Sequence, residues 1–352
     1  MDLIELHDPG AVRPVAVFLQ DGPLSQETCA LGVDTVVLRA PRLRHVLEAG
    51  AFARRLAAAL RSLEVDLVHS VMAWGHVHGG RAARRARLPE VWFQHNLSTP
   101  RSAVELAAAI VPSRLIFANS RHAAERQRRL NLRRTPIEIV PPGTRLPNSP
   151  RAVCRERGRA IAGVAPDAFV VGMTARLVTG KGHETFLRAA ASLLRARADA
   201  TLLIAGGPVF GDAHYPDRLR QLAAELGIAA RVRWLGADVP FAEVLSACDV
   251  AVHLPEVPQS FGLGAIEAMA AGAALVASDC LPIREIVTPS VDALLVPPRE
   301  PEILATTLLA LHDDRATAAR LAAAGADTAA RRFDAVAMTR RVEATYRRVL
   351  AA

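Results

Sequence analysis

The chain has 352 residues, of which 51% are hydrophobic and 22% charged, and a formal net charge of +8. That describes an ordinary globular protein with room for two cores. No apolar run approaches the roughly 20 residues that a membrane-spanning helix needs, and the opening MDLIELHDPG lacks the basic start and apolar core of an export signal. The sequence therefore predicts a cytoplasmic protein.

Short β-branched or apolar runs alternate along the chain with Ala/Leu/Arg stretches of helical period, the pattern of parallel α/β layers. In the first half, strands are expected at Pro14–Leu19, Asp34–Leu38, Asp66–His69, Val91–Gln94, Arg114–Ala118 and Ile137–Val140. The ten residues from Pro141 to Pro150 are dense in turn formers and lose all periodicity, so a domain boundary belongs there. Beyond it, strands are expected at Phe169–Thr174, Ala200–Ala205, Arg231–Leu235, Asp249–Leu254, Ala274–Ala277 and Ala293–Val296. Helical segments at Arg315–Arg332 and Asp334–Leu350 close the chain, and the last is placed to cross back to the first domain. The expected architecture is α/β, with two Rossmann-like domains whose parallel sheets face each other across a cleft. The domains span residues 1–148 and 149–333, followed by the C-terminal helix at 334–352. Ligands of such sheets bind beyond the carboxyl ends of the strands, so the loops there carry the functional candidates.

Charge is unevenly spread. Residues 1–150 hold 20 Arg against 13 acids, and residues 151–352 hold 23 basic against 22 acidic residues. The basic half suits an anionic membrane surface contacted peripherally at its inner face, or a polyanionic acceptor. Nucleic acid is not expected, because RNP-like aromatic strands and helix-turn-helix patterns are missing. Solvated Arg on helix faces is the plainer account. Cys29, Cys154, Cys248 and Cys280 lie far apart, without the spacing of a zinc knuckle or a redox dithiol. His69, His76 and His78 have no carboxylate or Cys completing a ligand set, so no metal site is expected.

Of the 43 basic residues, 42 are Arg and one is Lys, Lys181. It stands in the run Val170 to His183, VVGMTARLVTGKGH, which leads from a strand through a loop into a helix. Arg176 and Lys181 lie five residues apart there. Gly180 and Gly182 let the backbone come close, and the following helix start offers free N–H groups, as a diphosphate requires. A surface turn with solvated charges is the alternative. The loop is neither a P-loop nor G-x-G-x-x-G.

A second loop breaks a strand with Pro255 and Pro258 and opens an apolar helix through Gln259, Gly262, Leu263 and Gly264. Its glycines bare N–H groups for phosphate. Glu267 is the one carboxylate on this helix. It needs a partner, solvent, or a ribose diol to satisfy its oxygens. Gly206 and Gly207 follow a third strand and offer backbone to a nucleotide, or simply form a turn. His95 follows the strand Val91–Gln94 and is the candidate on the other domain, with a backbone-bonded strand-end His as the alternative. Asn119 and Ser120 read first as a helix N-cap pair.

ARLVTGKGHETF, AGGPVFGDAHYPDRLRQLA, RVRWLG and QSFGLGAIEAMAAGAALVASD, in this order, resemble retaining family 4 (group 1) glycosyltransferases with the B-type two-domain fold. GPLSQETCALGVDTVVL, DLVHS, VWFQHNLS and FANSRHAAER resemble the acceptor domain of that family. The resemblance implies transfer from a UDP- or GDP-linked sugar to a hydroxyl of a glycan or lipid-linked acceptor, with retention and without a required metal or cofactor. Arg176 and Lys181 match the cations that neutralise the departing diphosphate. Glu267 matches the second acid of a pair eight residues apart, which binds the ribose. Gly262 and Leu263 fall in the donor loop, and His95 falls where the family places a histidine near the donor sugar.

The chain departs from the pattern twice. The first acid of the pair is Gln259, which keeps an acceptor but carries no charge; Glu256, three residues upstream, is a candidate to compensate. The family's first strand and glycine loop are also missing, because Asp2–Leu6 resembles the last turns of the helix that follows them. A start site assigned too late or a truncated copy would account for this. The rival readings are a catalytically impaired nucleotide-sugar-binding homologue and a nucleotide-sugar epimerase on the same fold.

Overall fold

The structure, a computed structural model, describes all residues except 43–44 and 209–211. By its internal contacts the chain divides into a first unit, Met1–Pro142 with Ala335–Ala352, and a second, Gly143–Asp334. Each is an α/β layer structure of parallel strands.

The first unit contains β1 (Val15–Phe18), β2 (Asp34–Val37), β3 (Val68–Val71), β4 (Glu90–Gln94), β5 (Leu115–Ala118) and β6 (Ile137–Ile139). These are the six expected strands, with β3 lying two residues later than its sequence pattern suggests. They do not form one sheet: β1 pairs only with β2, while β3, β4, β5 and β6 form a separate sheet in that order. Burial follows the pairing. The central strands β4 and β5 are buried throughout, and β1, β2 and β3 only in part. This is the difference between a strand flanked on both sides and one with a bare edge.

Phe93 and Phe117 project from β4 and β5 into a cluster closed by Val342 and Tyr346 of the helix Ala335–Leu350. Arg348 and Arg341 of that helix reach Glu138 of β6 at 2.7 and 3.3 Å. On the other face, His76 pairs with Glu90 at 2.9 Å and stacks on Trp92, all three buried. His69 bonds the Tyr346 hydroxyl, and His78 packs between Phe52 and Trp74. Ser120 caps its helix as expected, accepting from the Ala123 N–H at 2.9 Å.

The second unit contains β7 (Phe169–Thr174), β8 (Ala200–Ala205), β9 (Val232–Gly236), β10 (Val250–His253), β11 (Ala274–Ser278) and β12 (Leu294–Val296). They form one six-stranded sheet in the order β12-β11-β10-β7-β8-β9. The continuous apolar runs FVVGMT and ATLLIA make β7 and β8 central, as strands buried on both faces must be. Alternate residues feed two cores: Val171, Met173, Leu202 and Val252 on one face, Val170, Leu203, Ala251 and Leu275 on the other.

Close packing demands glycine at two points. A Cβ on Gly158 would sit 2.0 Å from the Glu243 carbonyl, where the helix Arg151–Ala162 meets Phe241–Ala247, and one on Gly172 would lie 2.3 Å from Cys248 Sγ. Asp249 ties helix to sheet, accepting from the Val170 N–H at 2.8 Å, Arg155 at 2.7 Å and Arg159 at 3.1 Å. The chain runs from β7 outward through β8 and β9, then returns to β10 on the other side of β7. The strand order therefore reverses between β7 and β10, which is where an open α/β sheet leaves a crevice beyond its strand ends.

Among the described residues, no helix is long and apolar enough to cross a membrane.

Candidate functional site

The two loops singled out in the sequence leave adjacent strands, β7 and β10, at that reversal, and they pack on each other. Gly180 and Gly182 both adopt left-handed conformations, with φ of 86° and 87°. A Cβ on Gly182 would stand 2.2 Å from the Leu254 carbonyl, and one on Gly180 would stand 3.1 Å from Val257 Cγ1. The Glu256 N–H donates to the Gly180 carbonyl at 2.9 Å. Glycine is needed here both for its φ and for the close approach.

Lys181 sits between these glycines, half-buried, and Arg176 is exposed five residues earlier. Neither side chain has a hydrogen-bond or ion-pair partner among the described residues. Burial, then Arg176, lowers the Lys181 pKa below the ordinary ammonium value. A half-buried cation beside a second cation is disfavoured by both desolvation and repulsion.

The helix Leu263–Ala270 starts beside them, with Gly262 as its N-cap. The Leu263 and Gly264 N–H groups find no carbonyl within the helix, whereas the Ala265 N–H donates to the Gly262 carbonyl at 2.9 Å. Leu263 is exposed, whereas Glu267, one turn on, is half-buried. Gln259 lies in the loop leading in, its Nε2 sealed from solvent without a partner.

Gly206 and Gly207 pack against the Arg176 loop. A Cβ on Gly206 would lie 1.8 Å from the Ala175 carbonyl, and its N–H donates to Gly236 at 2.7 Å; the Gly207 carbonyl accepts from the Leu177 N–H at 2.8 Å. Gly206 thus supports the Arg176 loop and has no free N–H to offer. Residues 209–211, part of the resembling segment, lie outside the described residues. Glu256 has both oxygens engaged, one by the Thr185 hydroxyl at 2.5 Å and the other by Arg299 at 3.4 Å. Its carboxylate clamps the loop to the helix His183–Ala196.

His95 belongs to the first unit. It follows β4, stacks on Phe93 with ring centroids 4.1 Å apart, and its carbonyl accepts from Asn119 Nδ2 at 3.0 Å. Burial lowers its pKa to about 4, so the ring is neutral at pH 7.

Two residues of the second unit escaped the sequence reading. His183 is fully buried at the start of its helix, its ring facing the Ala175 backbone carbonyl. His253 ends β10, its Nε2 sealed and unpartnered. Burial, then Lys181, lowers each pKa to about 4. The only sequence signal was that each borders a loop already under suspicion.

Two units built on parallel sheets, the second with two glycine-rich loops and two cations at its strand reversal, have the B-type fold of glycosyltransferases. Solved structures agree: Anabaena HepE in complex with UDP and glucose superposes with a TM-score of 0.83 at 24% identity, covering 98% of this chain and 94% of its own. A glycosyltransferase from Rickettsia africae gives 0.84 at 16% identity, covering 99% and 93%.

Family models match both units, "Glycosyltransferase Family 4" over residues 11–146 and "Glycosyl transferases group 1" over residues 155–328. The chain belongs to the group 1, family 4 glycosyltransferases. It is 34% identical over 269 residues to the D-inositol 3-phosphate glycosyltransferase of Nocardia farcinica, covering 71% of this chain and 59% of the relative. With its counterpart from Streptomyces avermitilis it shares 33% over 285 residues, 74% and 61% of the two lengths. The chain thus spans about three fifths of these relatives.

Proposed function

We propose that the chain is a retaining glycosyltransferase, moving a sugar from a nucleoside-diphosphate donor to an acceptor hydroxyl without a metal. The observation that carries this reading is the meeting of the Arg176–Lys181 loop with the glycine-bared start of the helix Leu263–Ala270 at the strand reversal of the second unit. Two unpartnered cations and free helix N–H groups form a cradle for a diphosphate. In the reaction, the acceptor oxygen bonds to the anomeric carbon on the face from which the nucleotide departs. The anomeric carbon–phosphate oxygen bond breaks, and the hydroxyl proton passes to the leaving diphosphate. Arg176 and Lys181 stabilise the charge that grows there. Glu267 takes the ribose hydroxyls, Gln259 faces the sugar, and His95 serves the acceptor side.

HepE, described with UDP and with UDP-glucose, supports UDP as the first donor nucleotide to try. The name shared by the relatives supports D-inositol 3-phosphate as the first acceptor. Lipid-linked acceptors and contact with an anionic membrane through the Arg-rich first unit follow in the screen.

The test is a panel of UDP- and GDP-sugars with this acceptor, using wild type, Arg176→Ala and Lys181→Ala. Each substitution is expected to lower turnover at least about a hundredfold, the scale of removing a preorganised charge stabiliser. Turnover unaffected by both substitutions would overturn the assignment. Gln259 supports a second reading, a nucleotide-sugar binder of impaired activity, whose signature is UDP affinity without transfer.

A further inference from the structure

Alternation along β10 places His253 on the same face as Ala251, the face covered by the helix Leu263–Ala270. The ring lies against the start of that helix. A Cβ on Gly264 would fall 3.1 Å from Nδ1, and one on Gly262 would fall 3.6 Å from Nε2. A larger residue at 264 would press on the imidazole, whereas one at 262 would first meet Ile283 Cδ1 at 2.6 Å, so Gly264 is the glycine that makes room for the histidine. Thr174, at the end of β7, brings its carbonyl to 3.7 Å from the same Gly264 position, which puts the ring between the ends of β7 and β10.

Nε2 is sealed from solvent and so out of a ligand's reach, whereas Nδ1 lies at the helix start, unsealed and without a hydrogen-bond partner among the described residues. A ring that carries its proton on Nδ1 presents a donor there, next to a helix start that favours an anion.

We propose that His253 is a further ligand-contacting residue of this site, donating a hydrogen bond from Nδ1 to the diphosphate held by Lys181 and the helix start. This rests on the nucleotide-sugar reading and deepens it. The diphosphate is bound by two full charges and one neutral donor. Burial and Lys181 keep the ring uncharged near neutrality, which spares the empty site a third cation.

The test measures UDP and GDP affinity by calorimetry for wild type, Lys181→Ala, His253→Asn and His253→Leu. Leu removes the donor and is expected to weaken binding about tenfold, whereas Asn keeps an N–H and is expected to stay within about threefold, as loss of one bond to a charged group predicts. If Lys181→Ala loses binding while His253→Leu matches wild type, the histidine proposal fails and the site reading stands. If wild type binds neither nucleotide, both fail.

A measurement on the unsubstituted protein guards against a variant that does not fold. The His253 ring 15N resonances, assigned by their loss in His253→Asn, are expected to move on UDP addition. Unmoved resonances at saturating UDP would overturn the proposal.

Discussion

Replacing His183 with Leu tests how the site is built, through its acid stability. The ring is fully buried at the start of the helix His183–Ala196 and faces the Ala175 backbone carbonyl. Burial, reinforced by Lys181, lowers its pKa from 6.5 to about 4. Because the folded pKa lies below the unfolded one, the unfolded chain binds a proton first as pH falls. The stability is therefore fully present above about pH 6.5 and is lost progressively down to about pH 4. At pH 4.5 the linkage relation gives a loss of about 2.5 kcal/mol from this one residue. In urea unfolding that corresponds to a midpoint lower by about 1 M, given a slope of about 2 kcal/mol per molar.

His183→Leu removes the titrating group while keeping a side chain suited to an apolar site. Its midpoint is expected to fall by about 1 M less than that of wild type between pH 7 and pH 4.5. The other low-pKa histidines, His69, His78, His95 and His253, titrate in both proteins and cancel in the comparison. Equal falls would refute the reasoning, since they would mean that His183 takes up its proton in the folded state as easily as in the unfolded chain.

Gly182→Ala forces a side chain to φ 87° and a Cβ to 2.2 Å from the Leu254 carbonyl; it should lower stability by about 2 kcal/mol or more, read as a lower Tm, and weaken UDP binding with it. Gln259→Glu should raise transfer at least about tenfold while leaving UDP affinity within about threefold, because the added charge acts on an oxocarbenium-like centre and not on the nucleotide. Unchanged turnover would show that the amide suffices. His76→Leu strands the Glu90 carboxyl in the core of the first unit and should cost about 3 kcal/mol in urea unfolding; a loss under 1 kcal/mol would indicate that this pair carries little.

The strands were legible because each is a short apolar run between turn formers. β7 and β8 begin and end where that pattern does. β3 slipped because Asp66 and Leu67 extend the apparent run upstream, whereas pairing with β4 aligns Val68 with Glu90 and carries the strand to Val71. The split of the first unit into two sheets was not legible, since pairing partners are set by tertiary packing and local pattern says nothing of them. Within the site, glycine spacing and the lone Lys drew attention to the two loops that do meet. His183 and His253 stayed hidden because an isolated His carries no period and its significance lies in burial. Glu256 shows the complementary limit: the sequence places a carboxylate near the site but says nothing of the Thr185 hydroxyl and Arg299 that engage its two oxygens.

The helix Ala335–Leu350 is made after every strand of both units, yet its Val342 and Tyr346 complete a hydrophobic cluster whose strands emerge long before it. The second unit, contiguous from Gly143 to Asp334, has all its residues out of the ribosome while Phe93 and Phe117 still lack their cover. The first unit therefore begins earlier and finishes later, and a nascent chain carries an exposed aromatic face throughout that interval. A premature stop codon just after Asp334 would leave the second unit intact and do its damage to the unit that precedes it in the chain.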